Sequence, residues 1–408
     1  MSFNIRKLER NILMNTITYE NAHKQVINWR RYLHQHPELS FKEYKTAQYI
    51  TEQLKELGNI DITHPTETSV MGRLKGKKGP GKTVAIRADI DALPIKEATN
   101  HSFVSQVDGV MHACGHDGHT AILLGTAKML AQLQDDLIGE FVFLFQHAEE
   151  VPPGGAREMV AAGVLDNVDY VLGLHLWSTV PVGEIQITEG PISAASDIFD
   201  ITIEGKSSHA SQPDAAIDAL AIGSQIVTNL QHIISRVIDP LENGVVSITR
   251  FHSGDAYNVI PDRAHLGGSV RALTNDVREK IKQNMEQVCM NIASAHNAKA
   301  TLRYDYGYDP VVNDKELTAS IFAHTEHQFK DDEHIHVLKT TPMLTGEDFS
   351  AFSNVVPGCY VGIGAMKDEN GPVIPHHHPQ FDINEDALKI ALKYYVTTAL
   401  HVTGNKIL

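Results

Sequence analysis

Short apolar segments alternate with amphipathic ones through the first half of the chain, and their spacing predicts its secondary structure. Residues 16–58 carry a helical periodicity that breaks at His36-Pro37-Glu38, which predicts a pair of helices. Buried strands are predicted at 84–89, 139–146 and 168–174, and helices between them at 119–134 and 156–162. Strands that alternate with helices are typical of an α/β fold with a mostly parallel sheet and helices on both faces.

The pattern changes after about Ile192. Strands and helices then follow in the order β-α-β-β-α-β, at 197–203, 213–235, 244–251, 263–272, 275–297 and 299–306. That order is typical of a ferredoxin-like α+β unit. From Asp309 onward the pattern resembles the first part again and ends with a helix at 384–402. We therefore expect a larger domain in two parts, 1–191 and 308–408, with a smaller domain inserted at 192–307.

Composition places the chain among globular proteins and argues against some partners. It has 408 residues, of which 42% are hydrophobic and 21% charged, and its net charge is -15. This excess of carboxylates argues against nucleic acid or an anionic membrane as partner. No apolar run approaches the roughly 18 residues of a membrane span, and the N-terminal residues lack the features of a secretory signal. The three cysteines, Cys114, Cys289 and Cys359, are too few for a disulfide framework, so we expect a reduced, cytoplasmic protein.

The densest chemical signal is segment 111–119, Met-His-Ala-Cys-Gly-His-Asp-Gly-His. It combines three imidazoles, a thiol and a carboxylate, which are ligands that zinc and its first-row neighbours prefer. Cys114 and His116 stand two residues apart, so in an extended segment their side chains would share one face and reach one site. A histidine-rich surface loop is the alternative that this segment alone leaves open.

Four further polar residues follow predicted buried strands: Asp89, Glu149, Glu150 and His175. Open α/β sheets bind ligands at the carboxyl ends of their strands, so these side chains are expected at one edge of the sheet. In extended backbone Glu149 and Glu150 would point opposite ways, so that one binds a metal while the other faces the water that the metal activates. Taken singly, a Glu-Glu pair is more often a solvated turn, and a lone histidine in an apolar segment more often belongs to the core.

A series of segments along the chain carries a resemblance to a known family. The segments are 31–39 (RYLHQHPEL), 87–94 (RADIDALP), 111–119 (MHACGHDGH), 149–150 (EE), 173–175 (GLH), 205–209 (GKSSH), 258–261 (NVIP), 346–350 (GEDFS) and 377–379 (HHP). In this order they resemble the M20 family of metallopeptidases. The similar subgroup is that of the aminoacylase-like amidohydrolases, which includes hippurate hydrolases, N-acetyl-diaminopimelate deacetylases and auxin-conjugate hydrolases.

The resemblance implies a dinuclear metal centre in the larger, catalytic domain. Cys114 would bridge two divalent ions as a thiolate. His116 and His175 would complete the coordination of one ion, and Glu150 and His377 that of the other. Zinc is the first choice for a centre of thiolate and imidazoles, with manganese, cobalt or nickel as alternatives.

The resemblance also implies roles in catalysis. Glu149 would be the general base that takes a proton from metal-held water and delivers it to the leaving amine, with Asp89 beside the ligands rather than on a metal. The inserted domain would be a lid through which the chain forms a homodimer or a higher homo-oligomer. There His209 would stabilise the oxyanion together with Asn258, often across the dimer in relatives, and Arg271 would bind the substrate carboxylate.

The function implied is the metal-dependent hydrolysis of the amide bond of N-acyl amino acids. A dipeptidase, aminopeptidase or endopeptidase on the same scaffold is the main alternative, and a non-catalytic metal-binding homologue is a further one. Two points stay open on the sequence. The run of three histidines before Pro379 offers His376 as well as His377 as a ligand, and His147, beside the Glu-Glu pair, has no assigned role.

Overall fold

The computed structural model describes residues 2–405, with side chains from residue 19 onward. Met1 and residues 406–408, which the predicted domain boundaries include, lie outside this part of the chain. The α-helices are α1 (Ser2–Gln35), α2 (Tyr44–Leu57), α3 (His116–Gln132), α4 (Ala156–Ala161), α5 (Ala219–His232), α6 (Asn275–Ala295), α7 (Lys315–Phe329), α8 (Ser350–Ser353) and α9 (Asp386–Val402). The strands are β1 (Asp61–Thr63), β2 (Val70–Lys75), β3 (Gly79–Asp89), β4 (Ile138–Gln146), β5 (Tyr170–Trp177), β6 (Glu184–Gln186), β7 (Gly190–Pro191), β8 (Ala195–Glu204), β9 (Ser208–His209), β10 (Gly244–His252), β11 (Val259–Ile260), β12 (Arg263–Ala272), β13 (Lys299–Asp305), β14 (Val312–Asn313), β15 (His336–Leu338) and β16 (Gly358–Gly364).

The chain divides into two compact units. The first comprises the residues up to Gly190, Val312–Thr341 and the residues from Ala351 onward, and the second comprises Pro191–Val311 and Pro342–Ser350. The predicted insertion covered only 192–307, so the structure adds the short segment 342–350 to the second unit. Backbone hydrogen bonds attach this segment there, because the amide of Ala194 donates to the carbonyl oxygen of Thr345 at 3.0 Å.

The first unit is built on a mixed sheet with the strand order β1-β2-β4-β3-β5-β16-β6-β15. The four strands at its centre, β4, β3, β5 and β16, run parallel to one another. Antiparallel pairing occurs toward the edges, between β1 and β2, β2 and β4, and β16 and β6. The prediction of an α/β fold with a mostly parallel sheet is confirmed.

The core of this unit explains why its central strands are continuously apolar. Phe141, Phe143 and Phe145 of β4 are fully buried, as expected for a strand covered on both faces. Helix α3 packs against α1 and α9 and is itself buried around most of its circumference. The predicted break between the first two helices is confirmed. The predicted end of the third strand at residue 174 is wrong, because β5 continues to Trp177 and so contains His175.

The second unit has the order β8-α5-β10-β12-α6-β13, and its antiparallel sheet has the strand order β10-β12-β8-β13. This is the predicted ferredoxin-like arrangement. Phe199, Ile201 and Ile203 of β8 belong to its buried core, together with residues of α5 and α6. The first helix begins later than the predicted residue 213, because the carboxylate of Asp218 accepts from the amides of Leu220 and Ala221 and so caps α5 at Ala219.

A buried ionic cluster connects α1, α3 and the C-terminal segment of the first unit. The guanidinium of Arg30, which is fully buried, lies 3.2 Å from Asp117, 2.7 Å from Asp382 and 3.0 Å from Glu385. His34, one turn further along α1, places its two ring nitrogens 2.9 Å from Asp117 and 3.3 Å from Glu97. Burial alone would lower the pKa of His34, but its hydrogen bonds to Asp117 and Glu97 outweigh burial and raise it to about 9.

Among the helices of residues 2–405, none combines the length and the apolar character that a bilayer-spanning segment needs.

We predict that His34 stabilises the fold in a pH-dependent way. Because its pKa is raised in the folded state to about 9, its contribution is fully present below the unfolded pKa of about 6.5 and is lost as pH rises through 9. The variant His34→Gln should therefore be destabilised by about 3 kcal/mol at pH 6, and the difference from the native protein should shrink toward pH 10. Denaturant unfolding at a series of pH values measures this.

The matched control is His334→Gln, because the side chain of His334 is 88% exposed. It should show no comparable trend with pH. A stability difference for His34→Gln that is the same at pH 6 and pH 10 would contradict the prediction.

Candidate metal centre

Cys114 and His116 come together through a turn at the start of α3. Gly115 between them has φ 93°, in the left-handed region where glycine is favoured, and His116 is the first residue of the helix. The expectation of an extended segment at this point is therefore wrong, although the two side chains do reach one site. The turn brings His116 to the end of β3, where its Nε2 lies 3.7 Å from Asp89.

The donor atoms of the predicted ligands form two groups that share the sulfur of Cys114. One ligand atom from each of Cys114, His116 and His175 lies within 4.8 Å of the others. The same holds for Cys114, Glu150 and His377. The sulfur lies 3.5 Å from Nε2 of His175, and Oε1 of Glu150 lies 3.3 Å from Nε2 of His377. One shared thiolate, with two imidazoles on one side and an imidazole and a carboxylate on the other, is a donor set that suits two divalent ions.

The protonation of His116 leaves one ring nitrogen available to an ion. Nδ1 of His116 lies 3.0 Å from the carbonyl oxygen of Asp91 and 3.1 Å from its carboxylate. Both of these oxygens only accept, so Nδ1 carries a hydrogen, and Nε2 is the nitrogen that offers a lone pair to an ion when the ring is neutral. Nε2 is buried and has no hydrogen-bond partner within residues 2–405. A buried nitrogen in this condition fits a metal ligand.

His175 presents a ring nitrogen to the centre, whereas His119 does not. His175 donates from Nδ1 to the carbonyl oxygen of Leu176 at 3.0 Å, which leaves its Nε2 facing Cys114. His119 donates from Nδ1 to Asp89 at 2.6 Å, and its Nε2 accepts from the amide of Leu176 at 2.9 Å. Both nitrogens of His119 are thus engaged, so it supports the ligands but is not one of them. Sequence reasoning gave His119 no separate role, since its spacing alone does not show these two bonds.

The centre brings several carboxylates close to the buried thiol of Cys114. Burial raises the pKa of the Cys114 thiol, and the carboxylates of Glu150, Glu149 and Asp89 raise it further. Burial alone would lower the pKa of His116, but neighbouring carboxylates, Asp89 foremost, raise it to about 10. A thiolate and several carboxylates can share this buried space only with cations among them, so the residues fit two divalent ions.

Glu149 and Glu150 lie on a bend after β4 rather than on extended backbone. Ala148, immediately before them, has a positive φ of 51°. The bend turns both carboxylates toward α3, and an oxygen of each lies within 4.8 Å of a ring nitrogen of His116. The expectation that the two side chains point in opposite directions is therefore wrong. Both carboxylates approach the centre, which leaves one available to bind an ion and the other to act on a nearby water.

A match to a known family accounts for these features together. Residues 85–401, more than half of the chain, match Peptidase family M20/M25/M40. The chain belongs to the M20 peptidase family. Its M20 relatives include an N-acyl-L-amino acid amidohydrolase from Geobacillus stearothermophilus, 56% identical over 288 residues, which cover 71% of this chain and 78% of the relative.

Two further M20 relatives are similar over nearly their whole length. Thermostable carboxypeptidase 2 from Saccharolobus solfataricus is 39% identical over 388 residues, which cover 93% of this chain and 97% of the relative. The crystal structure of the Bacillus subtilis YXEP protein, described as a dinuclear metal-binding peptidase from the M20 family, has a TM-score of 0.82 and 37% identity. That match covers 95% of this chain and 99% of the solved one.

The geometry separates the two histidines that M20 motif spacing left open. Nε2 of His377 lies 3.3 Å from Glu150, and its backbone has a positive φ of 62°. His376 instead stacks on His175, with ring centroids 5.1 Å apart, and its Nε2 lies 3.1 Å from the carbonyl oxygen of Leu176. His377 therefore presents a nitrogen to the centre, while His376 packs behind a neighbouring ligand.

His147 contacts the loop that follows the Glu-Glu pair. Its Nε2 lies 3.1 Å from a carboxylate oxygen of Glu158, and its Nδ1 lies 3.3 Å from the hydroxyl of Thr66. Gly155 passes so close to this ring that a Cβ there would lie 2.6 Å from Nδ1. These contacts indicate that His147 packs the loop.

The remaining predicted residues lie in the second unit. The short ladder of β9 and β11 sets His209 opposite Val259, beside Asn258, whose carbonyl oxygen accepts from Ala210 at 2.9 Å. Nδ1 of His209 accepts from the amide of Ser211 at 3.2 Å, so in the neutral ring Nε2 carries the hydrogen. Arg271 lies half-buried on β12 and donates to the carbonyl oxygen of Val270 at 3.0 Å. A role for these residues at the metal centre stays a prediction.

We predict that His377, and not His376, holds one of two ions. The variant His377→Gln removes the nitrogen that faces Glu150, so after saturation with zinc and desalting it should retain about one ion where the native chain retains two. His376→Gln is the matched control, because it removes the neighbouring ring, and it should retain both ions. Elemental analysis of both variants measures this. Equal retention by the two variants, or loss from His376→Gln alone, would contradict the assignment.

Proposed function

We propose that this chain hydrolyses the amide bond of N-acyl amino acids and releases a carboxylic acid and a free amino acid. The observation that carries the proposal is the shared sulfur of Cys114 between two groups of ligand atoms, with Glu149 beside them. A similar M20 relative is an N-acyl-L-amino acid amidohydrolase, which supports this choice of substrate. Zinc is our first choice of metal, with manganese, cobalt or nickel as alternatives.

The ligands proposed for the two ions follow the two groups. Cys114 would be a ligand of both ions, His116 and His175 would complete one set of ligands, and Glu150 and His377 would complete the other. When bound, the ions would lower the pKa of water held at the site and polarise the carbonyl of the substrate. His116 and His175 each donate from Nδ1 to a fixed oxygen, so both rings are held in the orientation that presents Nε2.

Glu149 moves the proton in this proposal. As a carboxylate beside the centre, it accepts the proton of the attacking water while the oxygen of that water bonds to the carbonyl carbon. When the carbon–nitrogen bond breaks, the same carboxyl delivers the proton to the leaving nitrogen, so that an amine departs instead of an anion. One residue at one position serves both steps because water and leaving group occupy adjacent positions on the tetrahedral carbon.

The second unit supplies groups of the kind that the substrate requires. Because Nδ1 of His209 accepts from the amide of Ser211, the ring presents its Nε2 hydrogen as a donor for the oxyanion. We propose that it acts with Asn258 and that Arg271 pairs with the substrate carboxylate, whose approach the net charge of -15 otherwise opposes. We also propose that the chain forms a homodimer or a higher homo-oligomer through this unit, in which His209 serves the partner's centre.

A peptidase acting on unblocked peptides is the second candidate function. The similarity to thermostable carboxypeptidase 2, which covers 97% of that relative, supports this second candidate. Both reactions use the same attack on an amide carbonyl, so the metal centre does not discriminate between them. The free α-amine of a dipeptide requires an acceptor that a neutral acyl group does not require.

We propose a cytoplasmic location on the evidence of the cysteines. Cys114, Cys289 and Cys359 are buried and unpaired, as expected for a reducing compartment.

We predict that Glu149→Gln abolishes turnover while leaving metal binding intact. The amide of glutamine cannot accept the proton, so kcat should fall by about a hundredfold or more. The KM for N-acyl amino acids and the metal content should change little, because the amide keeps the size of the carboxylate. Steady-state kinetics with elemental analysis measure both. Undiminished kcat in a fully loaded variant would show that another group is the base.

We predict that N-acetyl and N-benzoyl amino acids are hydrolysed with a higher kcat/KM than dipeptides of the same C-terminal residue. The reason is that a neutral acyl group needs no buried partner, whereas a charged amine must be desolvated and therefore requires one. Amine release from each pair of substrates, at a fixed metal concentration, measures the ratio. A preference for the unblocked dipeptide would make the chain a peptidase.

A further inference from the structure

The segment 38–43 connects α1 to α2 and lies outside residues 85–401, the part of the chain that matches the family. It belongs to the first unit, and the proposed mechanism gives it no part. The carboxylate of Glu43 nevertheless contacts the backbone next to Glu149, and the hydroxyl of Ser40 contacts Asp91, which in turn accepts from the amide of Glu150. These contacts raise the question of what fixes the position of a general base that lies on a bend.

The first contact joins Glu43 to the residue before the base. The side chain of Glu43 is fully buried, and its Oε1 accepts from the amide of Ala148 at 2.8 Å and from that of Phe41 at 3.0 Å. Its other oxygen, Oε2, accepts from the hydroxyl of Thr68 at 2.9 Å. Both oxygens of the carboxylate are therefore hydrogen-bonded, and one of them holds the amide of Ala148, the residue before Glu149.

The second contact joins the same segment to the residue after the base. Oδ2 of Asp91 accepts from the hydroxyl of Ser40 at 2.7 Å and from the amide of Glu150 at 3.0 Å. The amides on the two sides of Glu149, those of Ala148 and Glu150, are thus each held by a buried carboxylate. The bend that carries the base is held from both ends by the segment and by Asp91.

The segment itself is firmly attached. The carbonyl oxygen of Glu38 accepts from the amide of Ala92 at 2.8 Å, and Leu39 bridges to Ala92 in parallel fashion. The carboxylate of Glu38 accepts from the amide and the hydroxyl of Thr46 in the first turn of α2. Because the segment is attached at both ends, it can hold the groups that it contacts in a fixed position.

The backbone at Ala148 requires such support. A residue with a Cβ at φ 51° lies in the left-handed region, at a cost on the order of 1 kcal/mol or more. In this conformation the amide of Ala148 donates to Glu43 at 2.8 Å, and this hydrogen bond offsets the cost. Without the acceptor, the backbone is free to relax to a conformation that moves Glu149.

We propose that Glu43 is a positioning residue, which holds the amide of Ala148 and thereby sets the position of Glu149. The proposal rests on the proposed role of Glu149 as general base. The proposal requires that an acceptor oxygen of residue 43 lies within hydrogen-bond distance of the amide of Ala148. It does not require that residue 43 carries a charge. Burial, followed by the charge of Asp91, raises the pKa of Glu43 to about 7, so the neutral form is accessible near neutral pH and also keeps an oxygen to accept from the amide.

A matched pair of variants separates reach from charge. Glu43→Gln removes the charge but keeps an oxygen at the same distance, and the hydroxyl of Thr68 can turn to accept from the new amide nitrogen. Glu43→Asp keeps the charge but withdraws the oxygens by one methylene. With the best N-acetyl amino acid as substrate, Glu43→Gln should keep kcat within about threefold of native, and Glu43→Asp should lose about tenfold to a hundredfold.

Two further measurements distinguish positioning from general damage to the fold. KM and the content of two ions per chain should stay at the native level in Glu43→Asp, because the ligands and the substrate contacts are unchanged. Loss of metal, a rise of KM in proportion to the fall of kcat, or an impaired Glu43→Gln beside a normal Glu43→Asp would each overturn the proposal.

Thr68→Val keeps the proposal testable if Glu43→Asp does not fold. It replaces a hydroxyl by a methyl of similar size and removes one of the bonds that fix Glu43, so kcat should fall by about fivefold at unchanged KM. Native kcat in Thr68→Val would overturn the proposal.

Glu149→Gln, assayed in parallel, separates the positioning role of Glu43 from the role of Glu149 as general base. A native-like Glu43→Asp beside an inactive Glu149→Gln overturns positioning alone, whereas an active Glu149→Gln overturns the base itself.

Discussion

The burial of several anionic groups around one thiol is the constraint on which the rest of this structure depends. Cys114, Glu149, Glu150 and Asp89 lie together in the first unit, where water cannot screen their mutual repulsion. The buried guanidinium of Arg87 pairs with Asp89 at 2.7 Å and can offset only one of these charges. Cations are therefore part of the fold at this point, and binding them is coupled to the proton held by His116.

Around this centre, backbone and carboxylate oxygens fix the imidazoles of His116, His119 and His175 before any ion arrives. Asp91 takes part twice, since it accepts from Nδ1 of His116 and from the amide of Glu150. Asp89 fixes His119, which in turn accepts from the amide of Leu176 beside His175. Because Asp89 ends β3 and Leu176 belongs to the adjacent parallel strand β5, the sheet itself sets the spacing of these contacts.

The ligand set of the centre is what the resemblance to the M20 family implied, and it stays a prediction. The sequence predicted the parallel sheet and the ferredoxin-like unit, because these depend on hydrophobic period. It did not predict why Cys114 and His116 meet, since the left-handed turn at Gly115 leaves no periodic signal. The same is true of the bend at Ala148 and of the roles of His119 and Glu43. Hydrogen bonds between residues distant in sequence fix these features, and a local pattern does not contain them. The segment 342–350 was misplaced for a related reason, because its membership of the second unit depends on backbone bonds to residues near 194.

Chemistry and selectivity depend on different parts of the chain. The first unit can assemble all the proposed ligands and the base, and these groups act on any amide carbonyl that reaches them. What distinguishes an acylated amino acid from a peptide is the charge at the far side of the amide, which the ligands do not contact. Arg271 and His209, which we propose bind the carboxylate and the oxyanion common to both kinds of substrate, belong to the second unit, which has a hydrophobic core of its own. The surface of that unit can therefore change while the core of the first unit is kept.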